Sequence, residues 1–270
     1  MLLENKNAII YGAGGSIGGS VARAFAREGA KVFVTGRNPA PLDKVVDGIV
    51  SSGGKAVAAT VDAMNQNEVR DHVDKVVREA GHVDISFNAI GIEDKQGIAL
   101  VDMSLDDFIR PVNLAMQTQF ITATAAARVM MKQRSGAILS LTATPGGLGY
   151  AMVGGFGPAC AAMESFSRDL ASEVGAYGIR AVNIRSAGSP DSRPFKEAMA
   201  NDPDRAGSFL NKIIEDTMLK ELPMMDDIAN VAVFLASDMA AKITGVTIDA
   251  TVGTTTALNY KVTDIAFVQN

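Results

Sequence analysis

The chain has 270 residues, 47% of them apolar and 20% charged, enough apolar material to bury a large core and to exclude disorder as its main state. Lys and Arg total 25 against 30 Asp and Glu, a formal charge of −5; this argues against nucleic acid or an anionic membrane as main partner, while leaving room for a local basic pocket. One cysteine, Cys160, excludes an internal disulfide framework. With His72 and His82 it gives no zinc-type spacing, so no metal is expected. Met1–Asn7 carries charges where a signal peptide needs an apolar stretch, and no apolar run approaches the roughly 18 residues of a membrane span, so a cytoplasmic setting is expected.

Short aliphatic and β-branched runs alternate with longer amphipathic stretches. Strands are predicted at Ala8–Tyr11, Lys31–Thr35, Ala56–Val61, Val83–Phe87, Ala137–Leu141, Ala181–Arg185 and Val246–Asp249. Helices are predicted between them at Ser16–Glu28, Leu42–Ser52, Gln66–Glu79, Leu105–Lys132, Gly155–Ala176 and Asp226–Ser237. The strand runs are too uniformly apolar for one-sided sheets, which predicts a single-domain α/β fold over residues 1–270: a doubly wound parallel sheet with helices on both faces. The segment Ser189–Met224, rich in Pro, Asp and Met, breaks the alternation. It reads as a substrate lid over the carboxyl ends of the strands, or as a surface helical hairpin without a role.

Immediately after the first strand stand Gly12, Ala13, Gly14, Gly15, Ser16, Ile17, Gly18 and Gly19. A glycine-rich turn between strand and helix lets backbone amides approach a pyrophosphate, which the positive end of the helix dipole stabilises, so a Rossmann-type dinucleotide site is expected there. After the second strand the acid that would hold a ribose diol is missing, and Arg37 stands in its place. A guanidinium grips a 2′-phosphate that a carboxylate would repel, which favours NADP(H); a solvated arginine is the plain alternative. Asp62, followed by Ala63, could accept from the adenine amino group or be an ordinary turn acid.

These residues, with those that follow, resemble the short-chain dehydrogenase/reductase family over nearly the whole chain. The family's glycine motif appears as Tyr11 to Gly18, with Tyr for Thr and Ser for the middle Gly. Its motif after the fourth strand appears as Asn88, Ala89, Ile90 and Gly91, its helix asparagine as Asn113, and its late motif as Ala187 and Gly188. The run Asp226 to Ser237 and then Thr244 and Gly245 is close to the family's usual ending. The resemblance implies cofactor contacts from Gly12, Gly14, Ser16, Ile17, Gly18, Asn88, Ala89, Gly91 and Gly188. It also implies a homo-oligomer, a tetramer favoured, built on the two long helices with their many small positions (Ala123, Ala125, Ala126, Ala127, Ala161, Ala162, Ala171).

The catalytic end departs from the family pattern. Family spacing puts Phe156 where a proton-transferring tyrosine belongs and Cys160 where its lysine belongs; phenylalanine has no proton to exchange and a thiol is no fixed cation. Thr142 and Thr144 keep hydroxyls near the family's serine. The stretch Gly157–Glu164 with Ser186–Gly188 also looks like the divergent branch containing enoyl reductases, and there Tyr150 is the nearby phenol, an acid or substrate anchor if not a loop tyrosine. Cys160 is a reactive thiolate or an inert apolar filler. Asn113 belongs to a water-linked proton relay in the family, or here to the structure of the long helix. Two functions remain open: an NADP(H)-dependent oxidoreductase with an unconventional proton donor, reducing a small ketone, activated alkene or imine, and a noncatalytic NADP(H)-binding sensor or scaffold.

Overall fold

The computed structural model describes residues 1–256. Seven strands form one parallel sheet: β1 (Asn7–Tyr11), β2 (Lys31–Gly36), β3 (Lys55–Thr60), β4 (Ile85–Asn88), β5 (Gly136–Ala143), β6 (Ile179–Ser186) and β7 (Val246–Ala250). Their order is β3-β2-β1-β4-β5-β6-β7. The chain winds outward from β1 to β3, then returns beside β1 with β4 and winds the other way. The switch point therefore falls between β1 and β4, where a crevice opens at the carboxyl ends of the strands.

Helices α1 (Ser16–Arg27), α2 (Pro39–Ser51), α3 (Gln66–Ala80), α4 (Leu105–Gln133), α5 (Phe156–Val174), α6 (Arg193–Asn201), α7 (Pro203–Glu215) and α8 (Met225–Ala236) cover the sheet and its carboxyl edge. The central strands are uniformly apolar because both faces are covered. One core layer joins Ile10, Val32, Val34 and Leu139 to Phe25 of α1 and Ile228 of α8. The opposite layer joins Ile9, Phe33 and Ile138 to Val69 and Val73 of α3, Met130 of α4 and Leu170 of α5. The edge strand β3 departs from the two-sided expectation: Lys55, Val57 and Thr60 are exposed, since an edge strand has a neighbour on one side only.

Element ends differ from the sequence reading where local chemistry intervenes. Helix α2 begins at Pro39 rather than Leu42, because proline in the first turn needs no intrahelical donor. Helix α4 begins at Leu105 as expected, after Ser104, whose hydroxyl accepts from the Asp107 amide at 3.2 Å, a cap worth about 1 kcal/mol. The small residues thought to be spare for assembly are largely used inside the chain: Ala123, Ala125, Ala126, Ala127 and Ala171 are buried. The aromatic left outside on α4 is Phe120, half exposed and set edge-on to Phe166 of α5 at 6.1 Å.

Candidate functional site

The crevice at the switch point is a cleft of about 930 Å³. At its nucleotide end the Thr35 carbonyl of β2 accepts from the Gly12 and Ala13 amides at 3.0 and 3.1 Å, pinning the glycine turn across the sheet. Gly12 has φ +76°, and a Cβ there would lie 2.7 Å from the Ala89 carbonyl oxygen, so no other residue fits. The first amides of α1 have no partners inside the helix and face this turn. Gly12, Gly14, Ser16, Ile17, Gly18, Arg37, Asp62, Ala63, Ala89, Gly91 and Gly188 all line the cleft. Asn88 does not. It is buried behind the turn, its Oδ1 accepting from the Ile90 amide at 3.0 Å and its Nδ2 donating to Thr122 Oγ1 at 3.3 Å, so its part is to shape Ala89–Gly91. Arg37 lies at the rim in an exposed pair with Glu93 at 3.3 Å; such a pair is worth little, leaving the guanidinium available to a stronger anion.

Beneath the other end lies a buried polar network. Ser140 of β5 donates to Asn183 Oδ1 of β6 at 2.8 Å, which turns the amide so that Nδ2 donates to Thr142 Oγ1 at 2.7 Å. Thr142 donates in turn to Glu164 Oε1 of α5 at 2.9 Å. Arg185 of β6 holds both Glu164 oxygens and also reaches Asp249 Oδ2 of β7 at 3.2 Å. Burial pushes the Asp249 carboxyl up, but bonds from Thr251, Thr255 and Arg185 outweigh it and hold it below the ordinary carboxylate range. The loop after β5 rests on this network: a Cβ on Gly147 would come within 2.4 Å of the Arg185 guanidinium.

The network corrects two expectations. A hydroxyl has one proton, and that of Thr142 is committed to a carboxylate that only accepts, so Thr142 is not a free proton donor. Asn113 is exposed and does not line the cleft; it faces an adjoining depression with Asp106 and Arg110 that shares Met64, Glu93 and Leu114 with the cleft wall. Helix α4 passes it unbroken, and its cleft-facing residues are Leu114 and Thr118, one turn apart. Thr144 and Tyr150 do line the cleft; Thr144 is buried, and Tyr150 is 37% exposed on the loop between β5 and α5. Phe156 opens α5, and Cys160 follows one turn later on the same side; both line the cleft. The Cys160 thiol is fully buried and pushed up to about 11, first by burial, with Glu164 and Asp94 adding to the shift. It is therefore a neutral thiol at neutral pH, and the thiolate alternative falls: the fifth residue of a helix stands too deep for the dipole to offset burial.

Several lining residues lie within the segment 189–224 read as a lid from the sequence, which did not single them out. Ser192, Arg193, Pro194 and Phe195 at the start of α6, with Phe209 and Ile213 of α7, close over the cleft. The Arg193 amide donates to Ser16 Oγ at 3.0 Å, joining this segment to the glycine turn, and Phe195 stacks on Phe209 at 6.4 Å between centroids. Ser189 Oγ, also on the cleft, is buried without a hydrogen-bond partner among the described residues. Helical periodicity shows that α6 and α7 have apolar faces but not where those faces dock.

A family model described as Enoyl-(Acyl carrier protein) reductase matches residues 12–255. The 3-oxoacyl-[acyl-carrier-protein] reductase of Chlamydia trachomatis is 31% identical over 245 residues, covering 90% of this chain and 95% of that one. The L-rhamnose 1-dehydrogenase (NAD(P)(+)) of Azotobacter vinelandii is 31% identical over 250 residues, covering 91% and 94%. The chain belongs to the short-chain dehydrogenase/reductase family. A solved structure of a short chain dehydrogenase/reductase family protein superimposes with a TM-score of 0.78 at 26% identity, covering 94% of this chain and 98% of that one.

As a short-chain dehydrogenase/reductase the protein is an oxidoreductase of a family that uses nicotinamide cofactors, which leaves the noncatalytic alternative without support. The residues present fit such a group: the glycine turn leaves room for a pyrophosphate where a side chain would block it, and Asp62 and Ala63 line the same cleft. When bound, the cofactor supplies a hydride. The reductase's own residues would hold the dinucleotide, wall the substrate with apolar side chains and offer the hydroxyls of Thr144 and Tyr150. Among the described residues no cluster of His, Cys, Asp or Glu is arranged to hold a metal, and no helix is long and apolar enough to cross a membrane.

Proposed function

We propose that the protein is an NADP(H)-dependent oxidoreductase acting on a small, largely apolar ketone, activated alkene or imine, with a proton source other than a tyrosine–lysine pair. The observation that carries this reading is the content of one cleft: a glycine turn and Arg37 at one end, Phe156 and the neutral Cys160 at the other. Tyr150 and Thr144 are the candidate proton donors, with solvent or the substrate itself as the alternative. A conjugated C=C or a C=N depends less on a phenolic acid than an isolated ketone does. The segment 189–224 acts as the substrate lid, consistent with the contact of Arg193 with Ser16 and with Phe195 and Phe209 on the cleft wall. NADPH consumption against a panel of ketones, enones and imines, alongside direct nucleotide titration, tests the assignment. Nucleotide binding without turnover on any member would sink it.

Arg37 should set the nucleotide preference. NADPH is expected to bind more tightly than NADH by about 1–3 kcal/mol, and Arg37→Ala to remove most of that margin, because charged hydrogen bonds to the 2′-phosphate replace only the weak rim pair with Glu93. Titration of both nucleotides against both proteins measures this; equal affinities in the parent refute it. A homo-oligomer, a dihedral tetramer favoured, is expected to bury the Phe120–Phe166 face of α4 and α5. Mass measurement at micromolar concentration gives the state directly, and a monomer contradicts the expectation.

A further inference from the structure

The cleft carries a carboxylate, close to Cys160, that makes no ion pair among the described residues. Asp94, in the loop after β4, lines the cleft, and its Oδ2 accepts from Gln96 Nε2 at 2.7 Å. The neighbouring cations are engaged elsewhere: Lys95 with Asp107 at 2.8 Å, Arg37 with Glu93 at 3.3 Å, and Arg185 with Glu164 and Asp249. The family's lysine position offers only the neutral thiol of Cys160, whose proton Asp94 and Glu164 help to retain. The Asp94 loop is bonded to the Tyr150 loop, the Gly97 amide donating to the Met152 carbonyl at 2.8 Å, so carboxylate and phenol ring stand on adjoining segments. Phe156, Phe195 and Phe209 complete an aromatic lining of the same cleft.

From this arrangement we propose that the substrate end selects an organic cation, an apolar iminium or the ammonium that its amine product becomes on taking a proton from solvent, with Asp94 as the charge-recognising residue. The proposal rests on the oxidoreductase reading above and narrows its substrate class. In a cleft that presents both a carboxylate and aromatic rings, a cation is attracted through Coulomb and cation–π terms. The same carboxylate opposes the negative charge that grows on a ketone oxygen during reduction. An iminium carbon that accepts hydride from a reduced nicotinamide becomes the amine as the C=N π pair returns to nitrogen. The positive charge on that nitrogen is cancelled and no proton has to be delivered. Such a reaction suits a cleft in which Phe156 has no proton to give and Thr142 has committed its own.

Calorimetric titration with 2-phenylethylammonium and with 2-phenylethanol, each with and without NADP⁺, separates charge from shape. The ammonium is expected to bind at least about 10-fold more tightly than the alcohol, with a preference that weakens as salt is raised. Asp94→Asn should abolish the preference while leaving 2-phenylethanol and NADPH affinities unchanged. Asp106→Asn, in the adjoining depression and outside the cleft lining, should leave the preference intact, and Phe209→Ala should weaken ammonium binding without touching the Asp94 carboxylate. Equal affinities in the parent, failure of both probes to bind, or a preference that survives Asp94→Asn overturns the proposal. Loss of the oxidoreductase reading would show separately, as absence of nucleotide binding or of any turnover, while the amine titration without nucleotide still judges Asp94.

Discussion

The Phe156→Tyr/Cys160→Lys double variant is expected to reduce simple ketones at least about 100-fold faster than the parent, the lower range of what a positioned general acid contributes. Phe156 and Cys160 lie four residues apart on α5, one turn along the same face, and both border the cleft. A phenol and an ammonium introduced together would regain the pairing in which the cation lowers the phenol's pKa. The new ammonium would stand near Glu164 and Asp94, the two carboxylates that already act on the thiol it replaces, so its charge is favoured there. Phe156→Tyr alone should gain far less, because an unassisted phenol holds its proton too tightly and points into a site without a cation. The measurement is kcat/KM over the ketone panel, with nucleotide affinity and thermal unfolding as controls. A folded, NADPH-binding double variant without the gain would show that these two positions are not those of the family's tyrosine and lysine.

The second large effect is on stability. Arg185→Met is expected to destabilise the fold by about 3–5 kcal/mol, lowering Tm by on the order of 10 °C. The Glu164 side chain is only 5% exposed and that of Arg185 15%, so removing the guanidinium strands a buried carboxylate whose remaining side-chain donor is Thr142. Glu164→Leu should cost less than Arg185→Met, because Arg185 keeps Asp249 as a partner. Combining Glu164→Leu with Arg185→Met should recover much of the loss, since neither charge is then buried alone. Thermal unfolding of the four proteins reads the coupling directly. If the double variant falls by the sum of the single losses, the pair does not act as a unit. The same variants loosen the support beneath Gly147, so the Tyr150 loop should become more open to proteolysis alongside the fall in Tm.

What the amino-acid sequence determines by itself here is what depends on neighbours in the chain. The strand positions follow from short apolar runs, and the parallel two-sided sheet from their lack of alternation, correct except at the edge strands β3 and β7. The glycine turn followed by a helix is a contiguous pattern, and Gly12 carries its own reason in a positive φ. Arg37 and the missing acid beside it are likewise readable in place, and so are Phe156 and Cys160 at a spacing of one helical turn. The start of α2 slipped by a turn because Pro39 opens it, whereas the start of α4 at Leu105 was legible.

The tertiary structure decided which of several similar groups is free to act. Thr142 and Thr144 are indistinguishable in sequence. One is committed because Asn183 and Glu164, each more than twenty residues away, approach it from β6 and α5. Asn113 and Leu114 are neighbours, and the 3.6-residue period sends one to the cleft and the other to the surface, but which goes where depends on how α4 docks. Asp94, which nothing in the sequence singles out, stands in a loop that the fold brings against Met152, with no ion pair among the described residues. Phe195 and Phe209 lie in the segment read as a lid or a surface hairpin, and only the docking of its helices puts these two rings on the cleft wall. In each case local chemistry fixes what a side chain can do, whereas the long-range pairing of strands and the docking of helices fix which partner is within about 3 Å to use it up.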